Sequence, residues 1–213
     1  MAYNFTAASS QYLSASTSTA QEPLTIAAWF YPTTIGVAQA LGSIGINGGV
    51  GRCQLFVSIP NTLRLAHTDN SGGTAGATID AAGSVVQDQW QHGCGVFASE
   101  SSRTPYLNGV AGSENTVTIG TTGPFDSTLV GSRFNTTLGF YFSGRIAEFG
   151  VWNAALTADE VASLAKGMTC DKVRPNALVF YAPLIRNLQD VRGGLTITNN
   201  NGATVADHPR VYA

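Results

Sequence analysis

Charge is scarce in this sequence. Asp, Glu, Lys and Arg make up 11% of its 213 residues, where about 25% is usual. Lysine is nearly missing, with Lys166 and Lys172 its only examples. The net charge is −2 and no run of Lys or Arg exists. Binding to nucleic acid rests on clustered cations that displace counterions, so DNA and RNA are excluded as expected partners. No stretch reaches the ~18 apolar residues of a membrane-spanning helix. The opening Met1-Ala2-Tyr3-Asn4-Phe5-Thr6 has neither a basic segment nor an apolar one, so no secretory signal is expected. Cysteine is limited to Cys53, Cys94 and Cys170. An odd, widely spaced set argues against a disulfide scaffold and for small buried hydrophobes in a reducing compartment. A Cys53–Cys94 bridge stays open at this level.

Catalytic pairings are missing as well. Retaining glycosidases need two carboxyl groups about 5–5.5 Å apart, and jelly-roll glucanases place them on alternate residues of one strand. None of Glu22, Glu100, Glu114, Glu148 and Glu160 has an acid two residues away. Glu148 lies in a strand-like run, but Ile146 and Gly150 are its expected same-face neighbours. It is read as a structural hydrogen-bond acceptor, and no catalytic residue is assigned. His92 and Cys94 fall two apart, which would suit a thiolate–imidazole pair or half a metal site. Zinc needs more ligands at tighter spacing, so His92 is read as a core residue bonded to backbone. His67 and His208 have no obvious partner. The run Asn47-Gly48-Gly49-Val50-Gly51 lacks the Lys-Ser/Thr and following helix of a phosphate-binding loop. Trp29, Trp90 and Trp152 fall in strand-like runs, which favours core packing over sugar stacking.

What is abundant is polar but uncharged. Ser, Thr, Asn, Gln and Gly alternate with short apolar runs, the pattern of an all-β sandwich or barrel. Hydrophobic residues reach 44%, enough to exclude disorder. Leu24–Pro32 reads as a strand buried on both faces. Cys53, Leu55, Val57 and Ile59 alternate along one face, and Pro60-Asn61 turns the chain into Thr62–His67. Trp90–Phe97 is a further strand, with Trp90, His92, Cys94 and Val96 on one side. Arg103–Leu107 and the run from Val110 flank Asn108-Gly109, a dipeptide suited to the positive φ of a tight hairpin. Thr116–Ile119, Ser127–Gly131, Phe140–Trp152 and Leu178–Leu184 complete the stronger runs. Two short strands are expected near Thr196 and Ala203. A single helix is expected over Ala158–Lys166. Thr157 and Glu160 form its capping box, and Leu156 and Val161 its hydrophobic staple.

The segment Gly144-Arg145-Ile146-Ala147-Glu148-Phe149-Gly150-Val151-Trp152-Asn153-Ala154-Ala155-Leu156-Thr157 resembles the strand-to-helix signature of the laminin G-like, concanavalin A-like jelly-roll family. Leu24-Thr25-Ile26-Ala27-Ala28-Trp29-Phe30, Trp90-Gln91-His92, Tyr106-Leu107-Asn108-Gly109 and Leu129-Val130-Gly131 match further family strands, in the family's order. The resemblance covers roughly residues 3 to 168 and implies an all-β, antiparallel two-sheet jelly roll with one short helix. Ala147 and Ala154 stand where relatives carry Asp and Arg, so contacts made by those groups are not expected here. Calcium-binding relatives use loop Asp and Asn side chains. No dense acidic cluster reproduces such a site, so no metal or cofactor is assigned and calcium stays open without support.

The whole chain, 1–213, is expected to form one domain, with 185–213 either closing the sheet or serving as an assembly arm. The resemblance, the weakly charged surface and the lack of an export signal together suggest a non-catalytic phage protein. It would be a decoration or fibre-associated virion component, made in the host cytoplasm. Its expected partners are other virion proteins, further copies of itself and cell-surface glycans. A stand-alone carbohydrate-binding lectin-like module is the alternative, and a glycoside hydrolase of the same fold a second. Candidate ligand-binding residues are Asp69 and Asn70, in the loop Asp69–Gly73, and Arg133 and Asn135, in the loop Arg133–Thr137.

Overall fold

The computed structural model describes residues 1–19, 22–71, 77–80, 83–120 and 124–212. Among the described residues, fifteen strands form two antiparallel sheets, with one α-helix outside them. The first sheet, A, holds β1 (Ala2–Phe5), β3 (Leu24–Pro32), β8 (Gln91–Ser99), β9 (Ser102–Leu107), β10 (Val110–Ala111), β12 (Gly144–Trp152), β13 (Leu178–Ala182) and β15 (Thr204–Ala206). Its order is β10-β9-β8-β3-β12-β1-β15, with β13 also paired to β12. The second sheet, B, holds β2 (Tyr12–Thr19), β4 (Gln39–Gly45), β5 (Arg52–Ser58), β6 (Thr62–Thr68), β7 (Ala77–Asp80), β11 (Phe125–Val130) and β14 (Thr198–Asn200). Its order is β14-β2-β11-β4-β5-β6-β7. The expected all-β, two-sheet jelly roll with one short helix is the fold observed.

Alternation builds the core. Leu24, Ile26, Ala28 and Phe30 of β3 face Cys53, Leu55 and Val57 of β5 and Leu63 and Leu65 of β6 across the sandwich. The opposite residues of sheet A form a second apolar layer. Ala27, Cys94, Val96, Tyr106 and Trp152 pack under Val161 and Leu164 of the helix α1 (Ala158–Ala165) and under Leu156 just ahead of it. Both halves of the capping box are present: Glu160 N–H donates to the Thr157 hydroxyl and Thr157 N–H to the Glu160 carboxylate. Trp152 is fully buried and donates Nε1–H to the Val173 carbonyl at 2.8 Å.

Several expectations need correction. Ile59 is not a core strand residue; it lies in the turn, 62% exposed. Strand β8 begins at Gln91, leaving Trp90 half-buried ahead of it. Thr116–Ile119 forms no strand. The buried Arg103 donates to Asn115 Oδ1 and to the Val117 carbonyl, taking up polar groups that a ladder would have used. Strand β12 starts at Gly144, because 140–143 belongs to a loop crossing sheet B. The strands β1, β2 and β4 had not been read from the sequence. Asn108 and Gly109 adopt φ of 51° and 81°, as their hairpin requires.

The C-terminal stretch adds an edge strand to each sheet. β14 pairs with β2, and β15 with β1. Buried Asp190 anchors the approach by accepting the N–H groups of Tyr181, Arg192, Gly193 and Leu195.

Candidate functional site

The outer face of sheet B carries the polar half of the alternation. On β5, Arg52, Gln54 and Phe56 point away from the core-facing Cys53, Leu55 and Val57. On β2 and β11, Ser14 pairs with Leu129 and Ser16 with Ser127. These four residues line a cleft of ≈ 380 Å³ together with Tyr12, Phe134 and Thr198. Hydroxyl-bearing residues from three adjacent strands thus line one cleft together with two aromatic side chains. Sugar rings are recognised by this combination, with hydroxyls exchanging hydrogen bonds and aromatic faces covering C–H surface.

A loop over residues 131–142 crosses the same face and forms one wall of the cleft. Ser43 fixes it, donating to the Ser132 carbonyl at 3.2 Å and accepting the Phe134 N–H at 3.1 Å. Phe140 packs on Ala40, Phe56 and Ala66. The Arg133 guanidinium lies 3.5 Å from the centre of the Phe140 ring. Gly45 makes the close crossing feasible, since a Cβ there would sit 3.0 Å from Arg52 Cβ and 3.2 Å from the Phe134 ring. Arg52 therefore abuts the loop. Its Nε donates to Gln54 Oε1 and its Nη1 to the Val50 carbonyl. Burial and the neighbouring Arg133 charge lower its pKa to about 10. Burial also lowers that of Arg133.

The four residues singled out from the sequence occupy this region unequally. Arg133 stacks on Phe140 beside Arg52. Asn70 accepts the Gly51 N–H at 3.1 Å, which places it next to Arg52. Asp69 is turned to Ser71, whose N–H and hydroxyl hold its carboxyl below the usual range. Asn135 accepts the Thr136 N–H of its own loop. Residues 72–73 of the first candidate loop lie outside the described residues. Arg52, Tyr12 and the serines of β2 and β11 were missed. Strict alternation in Arg52–Ser58 could have flagged Arg52 and Gln54 as outward-facing.

Other polar clusters are closed. A bulge in β12 gives Glu148 a φ of 51° and splits the neighbours expected on its face, with Ile146 in the inter-sheet core and Gly150 against Cys170 and Trp152. Its carboxylate accepts from the Tyr181 hydroxyl and lies 3.0 Å from His208 Nε2. Glu148 is 3% exposed, so it acts as the structural acceptor expected of it. His208 does have a partner, then, and so does His67, whose Nδ1 lies 3.0 Å from Glu22. The imidazole of His92 does not bond to backbone. It meets Trp29 edge-on at 5.6 Å, and burial pushes its pKa down to about 3. Burial raises the Cys94 thiol, so the pair holds neither a thiolate nor an imidazolium. The three cysteines are free. Cys53 faces the inter-sheet core and Cys94 the helix layer, which closes the question of a bridge between them. Of the tryptophans, Trp152 alone is core, while Trp29 and Trp90 are half-buried. Among the described residues, no group of three or more His, Cys, Asp or Glu is placed to hold a metal.

The family model described as the concanavalin A-like lectin/glucanases superfamily matches residues 6–162. The chain belongs to that superfamily. No curated protein matches it in sequence. A heptameric SAP-like pentraxin from Limulus polyphemus superposes with a TM-score of 0.67 at 18% identity, covering 91% of this chain and 87% of the pentraxin. The CBM40 of the Ruminococcus gnavus IT-sialidase gives 0.57 at 17% identity over 68% of this chain and 84% of the module. A Bacteroides ovatus protein with a carbohydrate-binding assignment gives 0.62 at 16% identity; the match covers 96% of this chain but only 61% of that one. At these identities the likeness is one of fold.

Proposed function

We propose that this superfamily member is a non-catalytic glycan-binding domain, and that the outer face of sheet B around the 131–142 loop is its binding surface. The cleft carries the proposal: Ser14, Ser16, Ser127 and Thr198 line it together with Tyr12 and Phe134. The fold neighbours add weight, because the R. gnavus CBM40 is also known bound to α2,3- and α2,6-sialyllactose. A glycan array, run with and without calcium, tests the reading. Binding to a defined oligosaccharide class, weakened at least about fivefold by Tyr12→Ala in a folded protein, is expected. An array without hits in either condition overturns it.

A place on the surface of a tailed-phage virion is proposed as the setting of that binding. The charge-poor, Ser/Thr/Asn/Gly-rich composition supports it, as do the open edges at β14 and β15, which offer strands for assembly with further copies. Negative-stain images of the source material would show particles carrying the protein in symmetric array. A protein found only free in solution would count against the setting and leave the glycan reading intact.

A further inference from the structure

Arg52 and Arg133 converge on the outer face of sheet B with no opposite charge to explain the convergence. Among the described residues, neither guanidinium lies in an ion pair. Arg52 is held by two neutral acceptors, the Gln54 side-chain carbonyl and the Val50 carbonyl. Arg133 lies over the Phe140 ring, and its Nε is buried without a hydrogen-bond acceptor. Both side chains are partly removed from water, and each lies in the field of the other. Burying a charge is costly unless it is paired, and like charges brought together add to that cost. Elsewhere two arginines are paired with acids, while buried Arg103 spends its N–H groups on the Asn115 side chain and the Val117 and Glu100 carbonyls. Arg174 grips Glu160 at 2.7 Å, and Arg145 faces Asp207 at 3.6 Å.

Two planar guanidiniums with N–H groups to spare suit a small oxyanion, which can accept from both. They adjoin the hydroxyl-lined cleft, since Phe134 lines that cleft and also packs within 3.2 Å of the Gly45 position that borders Arg52. Resting on the glycan-binding reading above, we propose that the Arg52–Arg133 pair is an anion subsite of that surface, selecting acidic glycans through a carboxylate or sulfate ester while the cleft holds the neighbouring sugar ring.

Two measurements separate this subsite from the glycan reading. The first needs no sugar. Inorganic sulfate at fixed ionic strength should raise the melting temperature of the native protein above its value in chloride, and Arg133→Gln should cancel that rise. Arg52→Lys, which keeps the charge but loses the planar fork, should reduce it. The second titrates a neutral oligosaccharide against its carboxylated and sulfated forms by calorimetry. An acidic form should bind about tenfold tighter than its neutral parent, as one charge-assisted hydrogen-bond pair predicts. In Arg133→Gln the ratio of acidic to neutral affinity should fall to near parity. The better of the two acidic forms identifies the anion as carboxylate or sulfate. Equal affinity for neutral and acidic forms overturns the subsite and spares the glycan reading. A sulfate-dependent rise lost in Arg133→Gln, without binding of any oligosaccharide, keeps the anion site and overturns the glycan reading. No response to sulfate and no acidic preference ends the proposal.

Discussion

The two sheets start from the same strand pattern and finish with opposite outer faces. On sheet A an apolar patch of outward residues lies beneath α1, which buries Ala27, Cys94, Val96, Tyr106 and Trp152 in a third layer. On sheet B the outward positions of β2, β5 and β11 include Ser14, Ser16, Arg52, Gln54 and Ser127, and a pinned loop crosses them instead of a helix. The helix consumes one face for stability, and the proposed binding surface lies on the other. If that division holds, changes under α1 should alter stability and spare ligand binding, whereas changes on sheet B should do the reverse.

The largest effect is expected from Trp152→Ala. It removes a fully buried ring and orphans the Val173 carbonyl, which should cost about 3–5 kcal/mol. Urea denaturation would read the loss. If the folded fraction bound glycan more weakly than wild type, the two faces would be coupled and the comparison would fail.

His92 gives the next effect, and it depends on pH. Burial lowers its pKa in the folded state to about 3 from an ordinary 6.5. The unfolded chain therefore takes up a proton first as pH falls. The full contribution to stability is present above about pH 6.5 and is lost progressively toward pH 3, at roughly 1.4 kcal/mol per unit. By about pH 4.5 the loss is roughly 2–3 kcal/mol. Denaturation midpoints of wild type and His92→Gln should differ in pH slope by up to about one proton over this range. Equal slopes would mean that His92 ionises freely in the fold.

How much of this was legible in advance differs by face. The layer under α1 was readable because its signals are local. Thr157 and Glu160 sit three apart, Leu156 and Val161 bracket them, and apolar alternation runs through β3 and β8. Strands β2 and β4 were missed because their inward positions include Ala15, Thr17 and Gly42, too small or polar to mark a buried face. The sheet B surface was legible only in part. Arg133 stood out as a loop cation. Its meaning depends on the 131–142 loop crossing β4 and β5, through a contact between residues 91 positions apart in sequence (Phe134 N–H to Ser43 Oγ). The shared face expected of Ile146, Glu148 and Gly150 failed because a β-bulge leaves no mark in an alternating pattern.

Smaller effects sharpen the comparison. Thr157→Ala removes one half of the capping box at an exposed helix end, and about 1 kcal/mol should be lost. A scanning-calorimetry shift of a few degrees with unchanged glycan affinity is expected.

The smallest change in stability, and the largest in binding, should come from Tyr12→Ala. Tyr12 is half-buried at the mouth of the sheet B cleft, with its ring 6.2 Å from Tyr141 and no part in either apolar core cluster. Its removal leaves the inter-sheet packing of Leu13 and Ala15 untouched, because alternation points those two the other way. Stability should therefore change by no more than about 1 kcal/mol. A sugar ring loses an aromatic surface in the same step, and that kind of contact is worth about 1 kcal/mol or more when desolvated, or at least fivefold in Kd. Calorimetric titration beside a thermal melt would read both numbers from one preparation. A variant that melted far below wild type yet kept its affinity would place Tyr12 in the structural layer and move the binding surface elsewhere, for which half-buried Trp29 and Trp90 on the outer side of sheet A, beyond the helix, would be the next residues to replace.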